Sequence, residues 1–379
     1  MKVLILSISA GGGHIHAARA IETYTTMNDP SSEVRMIDTL KYINPLIDKV
    51  VIGSYLKSIK VSPSIFGKLY NVRDSDDVFA NVSNKFNELM ALRIFPLINE
   101  FAPDIIVSTH FFTTEMLSIL KVKNKITIPC VCLLTDYSSH NAWIHPQIDA
   151  YVVSNSDMIG EMQEKGVDPS IIYDLGIPVK PDFLEKYSRD ETLTSLELST
   201  DKLTILIMGG TLGLGKIRNL YEELKRVERD FQMIVITGSN KKLYSELIKL
   251  KATSTKETKV IGFTDEVNKY MQACDLLLTK PGGLTITEAL VCSTPLGLFS
   301  PIPGQEEKNS QFLLRHNLAV TIGNVKNCKE SIEDLISNTI KLKEMSATSK
   351  YFSKPNAGND IYNLMNELIN KKGLSQSRK

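Results

Sequence analysis

Three short stretches carry glycines where an apolar run gives way to a helical pattern. They are Gly11-Gly12-Gly13-His14, Gly209-Gly210-Thr211-Leu212-Gly213-Leu214-Gly215 and Lys280-Pro281-Gly282-Gly283-Leu284-Thr285. Glycine loops at helix starts present free backbone N–H groups and the positive end of the helix dipole, which together suit a phosphate or diphosphate. Neither of the first two completes a named fingerprint. Both lack the third glycine of G-x-G-x-x-G, and no G-K-[ST] follows, which argues against a P-loop. Alone, either is equally a tight strand-to-helix turn. The third loop is more specific, because Gly282 and Gly283 let a ligand approach the helix start closely. Glu288, about one turn further in, can accept hydrogen bonds from both hydroxyls of a ribose, or can simply complement the helix dipole. In Pro301 to Asn309, Gln305, Glu306 and Asn309 can bind sugar hydroxyls, although on its own this loop is an ordinary polar turn.

The elements that must hold these loops repeat. Val3-Leu4-Ile5-Leu6 is a continuous apolar run, as in a parallel strand covered on both faces, and Ala17, Ala20, Ile21 and Tyr24 then recur at helical spacing. Leu203 to Met208, followed by Ile217, Leu220, Tyr221 and Leu224, starts the same grammar again. Further strands are expected at Asp104 to Thr109, Cys130 to Thr135, Tyr151 to Ser154, Gln232 to Thr237, Asp275 to Thr279 and Pro295 to Phe299. Strands alternating with helices predict an α/β protein of two doubly wound, Rossmann-like domains facing across a cleft. We place the domains at 1–190 and 191–350, with the polar Ser188 to Lys202 as linker. Residues 351–379 follow as a C-terminal helix, striped by Ile361, Leu364, Met365, Leu368 and Ile369, and a basic tail. Ligands of open α/β sheets bind beyond the carboxyl ends of the strands, where this sequence keeps its glycines and histidines.

Composition limits the function classes. The chain has 379 residues, 42% of them hydrophobic and 23% charged, enough for two packed domains. Its 44 basic and 43 acidic side chains give no overall field that would attract nucleic acid. Cys130, Cys132, Cys274, Cys292 and Cys328 are spaced for neither a disulfide framework nor a zinc site, which points to a reducing cytoplasm. No run reaches the roughly 18 apolar residues of a membrane-spanning helix. Met1-Lys2 and the short run after it resemble a secretory signal, but the run passes directly into Gly11-Gly12-Gly13 and reads as a buried first strand.

Five motifs in order resemble a family. These are Gly11-Gly12-Gly13-His14-x-x-Ala17-Ala18, Thr135-Asp136-Tyr137-x-x-His140-x-x-Trp143, Gly209-Gly210, Lys280-Pro281-Gly282-Gly283-x-Thr285-x-x-Glu288-Ala289 and Pro303-Gly304-Gln305-Glu306-x-x-Asn309. Together they look like the bacterial diacylglycerol glucosyltransferases and plant monogalactosyldiacylglycerol synthases, and more distantly the enzyme that makes the lipid-linked peptidoglycan precursor. The resemblance implies a GT-B fold, a UDP-sugar donor, a diacylglycerol acceptor and inversion at the anomeric carbon. It also implies a C-terminal helix that crosses back onto the first domain.

Carried onto this chain, the resemblance places uracil near Gly262-Phe263-Thr264, ribose at Glu288, and the diphosphate at Gly210-Thr211 and Gly282-Gly283-Leu284-Thr285. Gly213 and Lys280 join that donor set, and the hexose falls near Gln305, Glu306 and Asn309. Phe263 can equally be core filler. Transfer needs a base for the acceptor hydroxyl, and a histidine that titrates near neutrality suits the task. His14 is the first choice, and Asp136 is either the base itself or the group that orients His14. Each has a plain alternative as a cap. Gly12, Gly13, His110, Tyr137, His140 and Trp143 form the expected acceptor side. Backbone amides and helix dipoles would stabilise the leaving diphosphate, so the UDP-sugar is a co-substrate and no metal or other cofactor is expected. Asp74-Ser75-Asp76 resembles a metal-binding signature but follows a basic stretch rather than a strand, and is read as a solvated loop.

From Lys41 to Arg73, six basic residues (Lys41, Lys49, Lys57, Lys60, Lys68, Arg73) stand against one acid, Asp48, among many aliphatic and aromatic residues. That pattern fits a surface resting on anionic lipid, each basic group contributing about 1 kcal/mol, and equally a core-facing helix pair with solvated lysines. A bilayer-confined acceptor favours the first, hence a cytoplasmic protein peripherally associated with the cell membrane. Four rival readings remain. One is a nicotinamide-dependent enzyme with Asp38 on the adenosine ribose, which leaves the second set of loops unexplained. The others are a UDP-sugar epimerase, a UDP-N-acetylglucosamine-dependent lipid-linked transferase and a non-enzymatic nucleotide-sugar sensor.

Overall fold

The apolar runs become the inner strands of two parallel sheets. A computed structural model describes residues 1–9, 12–45, 80–213 and 215–376 of the chain. The chain divides into two units. One comprises Met1–Lys180, Pro303–Gln305 and Lys354–Lys379, and the other Pro181–Ile302 and Glu306–Ser353.

The first unit holds β1 (Lys2–Ser7), β2 (Glu33–Asp38), β3 (Ile105–Ser108), β4 (Cys130–Leu133), β5 (Ala150–Val152) and β6 (Ile172–Tyr173), in the order β2-β1-β3-β4-β5-β6. Every residue of β3, β4 and β5 is buried, as a strand inside a covered parallel sheet must be. Leu4, Leu6, Ile94, Ile106, Leu117 and Trp143 belong to one core cluster on this sheet. Each such side chain stabilises by about 1.5–3 kcal/mol when fully buried. The helix Gly13–Asn28 buries Ala17, Ala18, Ala20, Ile21 and Tyr24 on one face.

The C-terminal helix Ala357–Gln376 packs on this unit through its apolar stripe, with Ile361, Leu364, Met365 and Leu368 all buried. It lies so close to Gly13–Asn28 that a Cβ on Gly358 would stand 2.1 Å from the Tyr24 ring. Asn28 Nδ2 donates to Asn359 Oδ1 at 2.8 Å, and Lys354 pairs with Asp174 at 3.0 Å.

The second unit holds β7 (Thr204–Met208), β8 (Gln232–Ile236), β9 (Thr258–Ile261), β10 (Leu276–Thr279), β11 (Leu296–Leu298) and β12 (Ala319–Thr321), in the order β12-β11-β10-β7-β8-β9. The expected linker is instead built into this unit. Ser188 Oγ accepts from the Glu191 N–H to start the helix Arg189–Ser195, and Leu193 is fully buried. The Arg189 guanidinium donates to the Lys202 carbonyl and to Asp275 Oδ2, each at 3.0 Å. A polar composition concealed these anchoring contacts.

In each sheet the strand order reverses once: the chain builds outward from β1 and then crosses to β3, and builds outward from β7 and then crosses to β10. Such switch points open a crevice at the strands' carboxyl ends. The basic segment 41–73 lies outside the described residues from 46 onward, as does Asp74-Ser75-Asp76. Of its described start, Ile43 is buried and Tyr42 exposed. No helix among the described residues is long and apolar enough to cross a membrane.

Candidate active site

The switch point of the first unit brings His14 and His110 together. His14 opens the helix after β1, and Thr109 and His110 follow β3. His14 Nδ1 lies 2.8 Å from the Thr109 carbonyl oxygen and 2.9 Å from Thr135 Oγ1. Among the described residues no protein group hydrogen-bonds Nε2, which keeps a lone pair if Nδ1 carries the proton. Desolvation lowers the His14 pKa from 6.5 to about 4, against the raising effect of the Thr109 carbonyl, so the ring is neutral at physiological pH. Its side chain is nevertheless partly exposed.

The other expected acceptor-side residues are placed differently. His110 is buried, and its Nδ1 accepts from the Phe112 N–H at 3.2 Å, capping the helix Phe111–Val122. His140 is also buried, with its Nδ1 accepting from the Ala142 N–H at 3.0 Å. Tyr137 and Trp143 are core residues. As placed, these four are buried side chains rather than the lining of an open channel. Trp143 stands 6.2 Å and His110 4.5 Å, centroid to centroid, from the His14 ring, whose low dielectric they help to create. Gly12, Gly13, Phe111 and Phe112 are partly exposed beside them. The two phenylalanines carried no motif, and only the fold brings them to the site.

Asp136 is buried just after β4, its main-chain carbonyl accepting from Ser154 Oγ at 2.7 Å. Among the described residues the polar partners of the His14 ring are Thr109 and Thr135, so Asp136 does not orient it through a direct hydrogen bond.

At the switch point of the second unit, Gly210 follows β7 and Gly282 follows β10. Gly210 and Gly213 have φ of 70° and 55°, left-handed values that favour glycine. A Cβ on Gly213 would lie 2.1 Å from the Thr237 carbonyl oxygen. The Thr211 carbonyl accepts from the Ser239 N–H at 3.0 Å, so the loop after β8 braces the loop after β7. The helix Gly283–Cys292 begins after Gly282, which supplies no side-chain cap. The N–H groups of Gly283, Leu284 and Thr285 therefore point out of the helix start with the dipole behind them. Leu284, Thr285 and Glu288 are partly exposed at this end.

Lys280 is nearly enclosed and donates to Glu306 Oε1 at 2.8 Å, while Glu306 Oε2 accepts from the Ile302 N–H at 2.6 Å. Asn309 is fully buried and donates to the Pro281 carbonyl at 3.1 Å. Glu306 and Asn309, expected at the hexose, thus brace the Lys280-Pro281-Gly282 turn, while Gln305, partly exposed, donates from Nε2 to Asp136 Oδ2. Core-filling is excluded for Phe263, which is 60% exposed. Thr264 Oγ1 accepts from the Glu266 N–H at 3.1 Å and shapes the same loop.

Residues 14–179 match the family model described as monogalactosyldiacylglycerol (MGDG) synthase, and residues 204–368 match the glycosyltransferase family 28 C-terminal domain. A processive diacylglycerol beta-glucosyltransferase of Bacillus licheniformis is 28% identical over 386 residues, covering 98% of this chain and 97% of the relative. The Bacillus pumilus protein of the same description is 29% identical over 360 residues, covering 92% and 90%. Among solved structures, MurG of Acinetobacter baumannii superposes with a TM-score of 0.65 at 16% identity, over 97% of this chain and 99% of that one. The S. aureus MnaA–UDP co-structure gives 0.64 at 13% identity, over 97% of each chain. At such identities these two structures establish the two-domain α/β fold.

Proposed function

We propose that the chain is a glycolipid-forming glycosyltransferase related to monogalactosyldiacylglycerol synthases and processive diacylglycerol glucosyltransferases, and that it moves a glucose or galactose from a UDP-sugar to diacylglycerol with inversion. The matched glycosyltransferase family 28 domain and the diacylglycerol glucosyltransferase relatives support a UDP-sugar-dependent hexosyltransferase.

The observation that carries the donor assignment is the uncapped start of the helix Gly283–Cys292 beside Gly210 at the second switch point. Its amides and dipole suit a diphosphate, and they favour the charge that develops as UDP leaves. Glu288 accepts from the ribose hydroxyls, Phe263 stacks on the uracil, and Gln305 reaches the hexose. His14 Nε2 takes the proton of the acceptor hydroxyl. That oxygen bonds to the anomeric carbon as the carbon–oxygen bond to the diphosphate breaks, and UDP leaves with the electron pair. One displacement inverts the centre. With amides and dipole stabilising the leaving group, the step needs no metal. Diacylglycerol is confined to a bilayer, so the enzyme works as a peripheral protein, docking through the basic and aromatic residues of 41–73.

Incubation with labelled UDP-glucose, UDP-galactose or UDP-N-acetylglucosamine and anionic vesicles containing diacylglycerol tests this, with and without a chelator. Lipid-soluble label from one of the two hexose donors is expected in both conditions. Absence of glycolipid from every donor would overturn the activity, label from UDP-N-acetylglucosamine alone would overturn the donor class, and loss of label on chelation would overturn the metal-free step.

A further inference from the structure

The carbonyl of Thr109 has no proton to give, so His14 Nδ1 is the donor in their 2.8 Å contact and carries the hydrogen. Thr135 Oγ1, 2.9 Å from the same nitrogen, then shares that hydrogen as the second acceptor of a three-centre bond. The two oxygens come from the ends of neighbouring strands, β3 and β4, so the ring is held between two fixed points of the sheet. Thr109 also grips the main chain of His14: its Oγ1 lies 3.2 Å from the His14 carbonyl oxygen and 2.8 Å from Ser7 Oγ, and Thr109 and Ser7 are themselves fully buried.

Many catalytic histidines are backed by a carboxylate, which orients the ring and stabilises the imidazolium. Among the described residues His14 has no such partner. We propose that Thr135 is a positioning residue that, together with the Thr109 carbonyl, holds His14 in the Nδ1–H tautomer and aims the Nε2 lone pair at the acceptor hydroxyl. The inference rests on the reading of His14 as base. As the acceptor O–H bond breaks, the proton passes to Nε2, and the positive charge on the ring is met at Nδ1 by two neutral oxygens. Such a cradle stabilises imidazolium less than a carboxylate does. The ring therefore stays neutral before the reaction and passes its proton on readily afterwards.

Thr135→Val keeps the shape and removes the acceptor; Thr135→Ser keeps the acceptor. In the valine variant, kcat is expected to fall about 10-fold. The KM for the UDP-sugar should stay unchanged, and NMR of isotope-labelled histidine should show the second His14 tautomer appearing. The serine variant should restore kcat and the single tautomer. An unchanged kcat with an unmixed tautomer in the valine variant overturns the proposal, as does a loss that serine does not restore. His14→Ala separates the two claims: full turnover in that variant overturns the base assignment itself, independently of what the ring's tautomer shows.

Discussion

Lys280 Nζ and Glu306 Oε1 stand 2.8 Å apart with side chains only 9% and 15% exposed, tying the turn after β10 to the helix Gln305–Arg315. The second oxygen of Glu306 holds the Ile302 N–H. Glu306→Ala leaves a nearly enclosed ammonium and an amide without their acceptor, and is expected to cost about 3 kcal/mol. Glu306→Gln keeps an oxygen for Ile302 and should cost roughly half of that. Urea unfolding measures both, and an alanine variant as stable as the parent would show that the pair does not brace the turn.

Gly282→Ala should separate folding from binding. Gly282 has φ −73° and ψ 134°, and an added Cβ would meet nothing within 4 Å. Thermal stability should therefore change by less than about 0.5 kcal/mol. The new methyl stands where the diphosphate is proposed to lie, so UDP affinity by calorimetry should fall about 10-fold. Gly213→Ala is the contrast, because its Cβ would collide with the Thr237 carbonyl and the fold itself should lose about 2 kcal/mol or more. Unaltered UDP affinity in the Gly282 variant would put the diphosphate elsewhere.

His14 links stability to pH. Its folded-state pKa is depressed from 6.5 to about 4, so between those values the unfolded chain binds the extra proton. The contribution of the neutral ring is fully present above pH 6.5 and is lost as pH falls toward about 4. A His14→Gln variant should show a flatter decline in its urea midpoint over that window. Equal slopes in the two proteins would refute the depressed value. Turnover should likewise show no acid limb near 6.5 from this residue.

The contact between the first and last long helices of the first unit is equally specific. Gly358→Val drives a side chain into the Tyr24 ring, already 2.1 Å from the position of a Cβ, and should destabilise by at least about 2 kcal/mol. Gly373→Ala, on the same helix but with nothing within 4 Å, should instead stabilise by about 0.5–1 kcal/mol. Similar melting temperatures for both variants would argue that the helix does not dock there.

Which strands the sequence reveals follows from burial. β1, β3, β4, β5, β7, β8, β10 and β11 are apolar runs because they lie inside their sheets, where side chains on both faces leave water. β6, β9 and β12 gave no such signal. All three are edge strands; Ile172–Tyr173 and Ala319–Thr321 are very short, and Thr258–Ile261 alternates buried and partly exposed residues. The glycine loops and His14 were legible because their conformations and chemistry belong to residue type. The use of Glu306 and Asn309 as braces, of His110 and His140 as caps, and of Thr135 beside His14 was not, since each depends on which atoms face them.

By its own pattern, then, the sequence determined two α/β units, their order, and the glycine and histidine loops at their strand ends. The tertiary structure alone decided which of the polar groups in those loops are turned to other protein atoms. Thr135 and His14 are 121 positions apart, and only the pairing of β1 with β3 and of β3 with β4 brings them to 2.9 Å. Periodicity reports whether a side chain is buried; a hydrogen bond additionally requires a distance and a direction, which sheet register supplies.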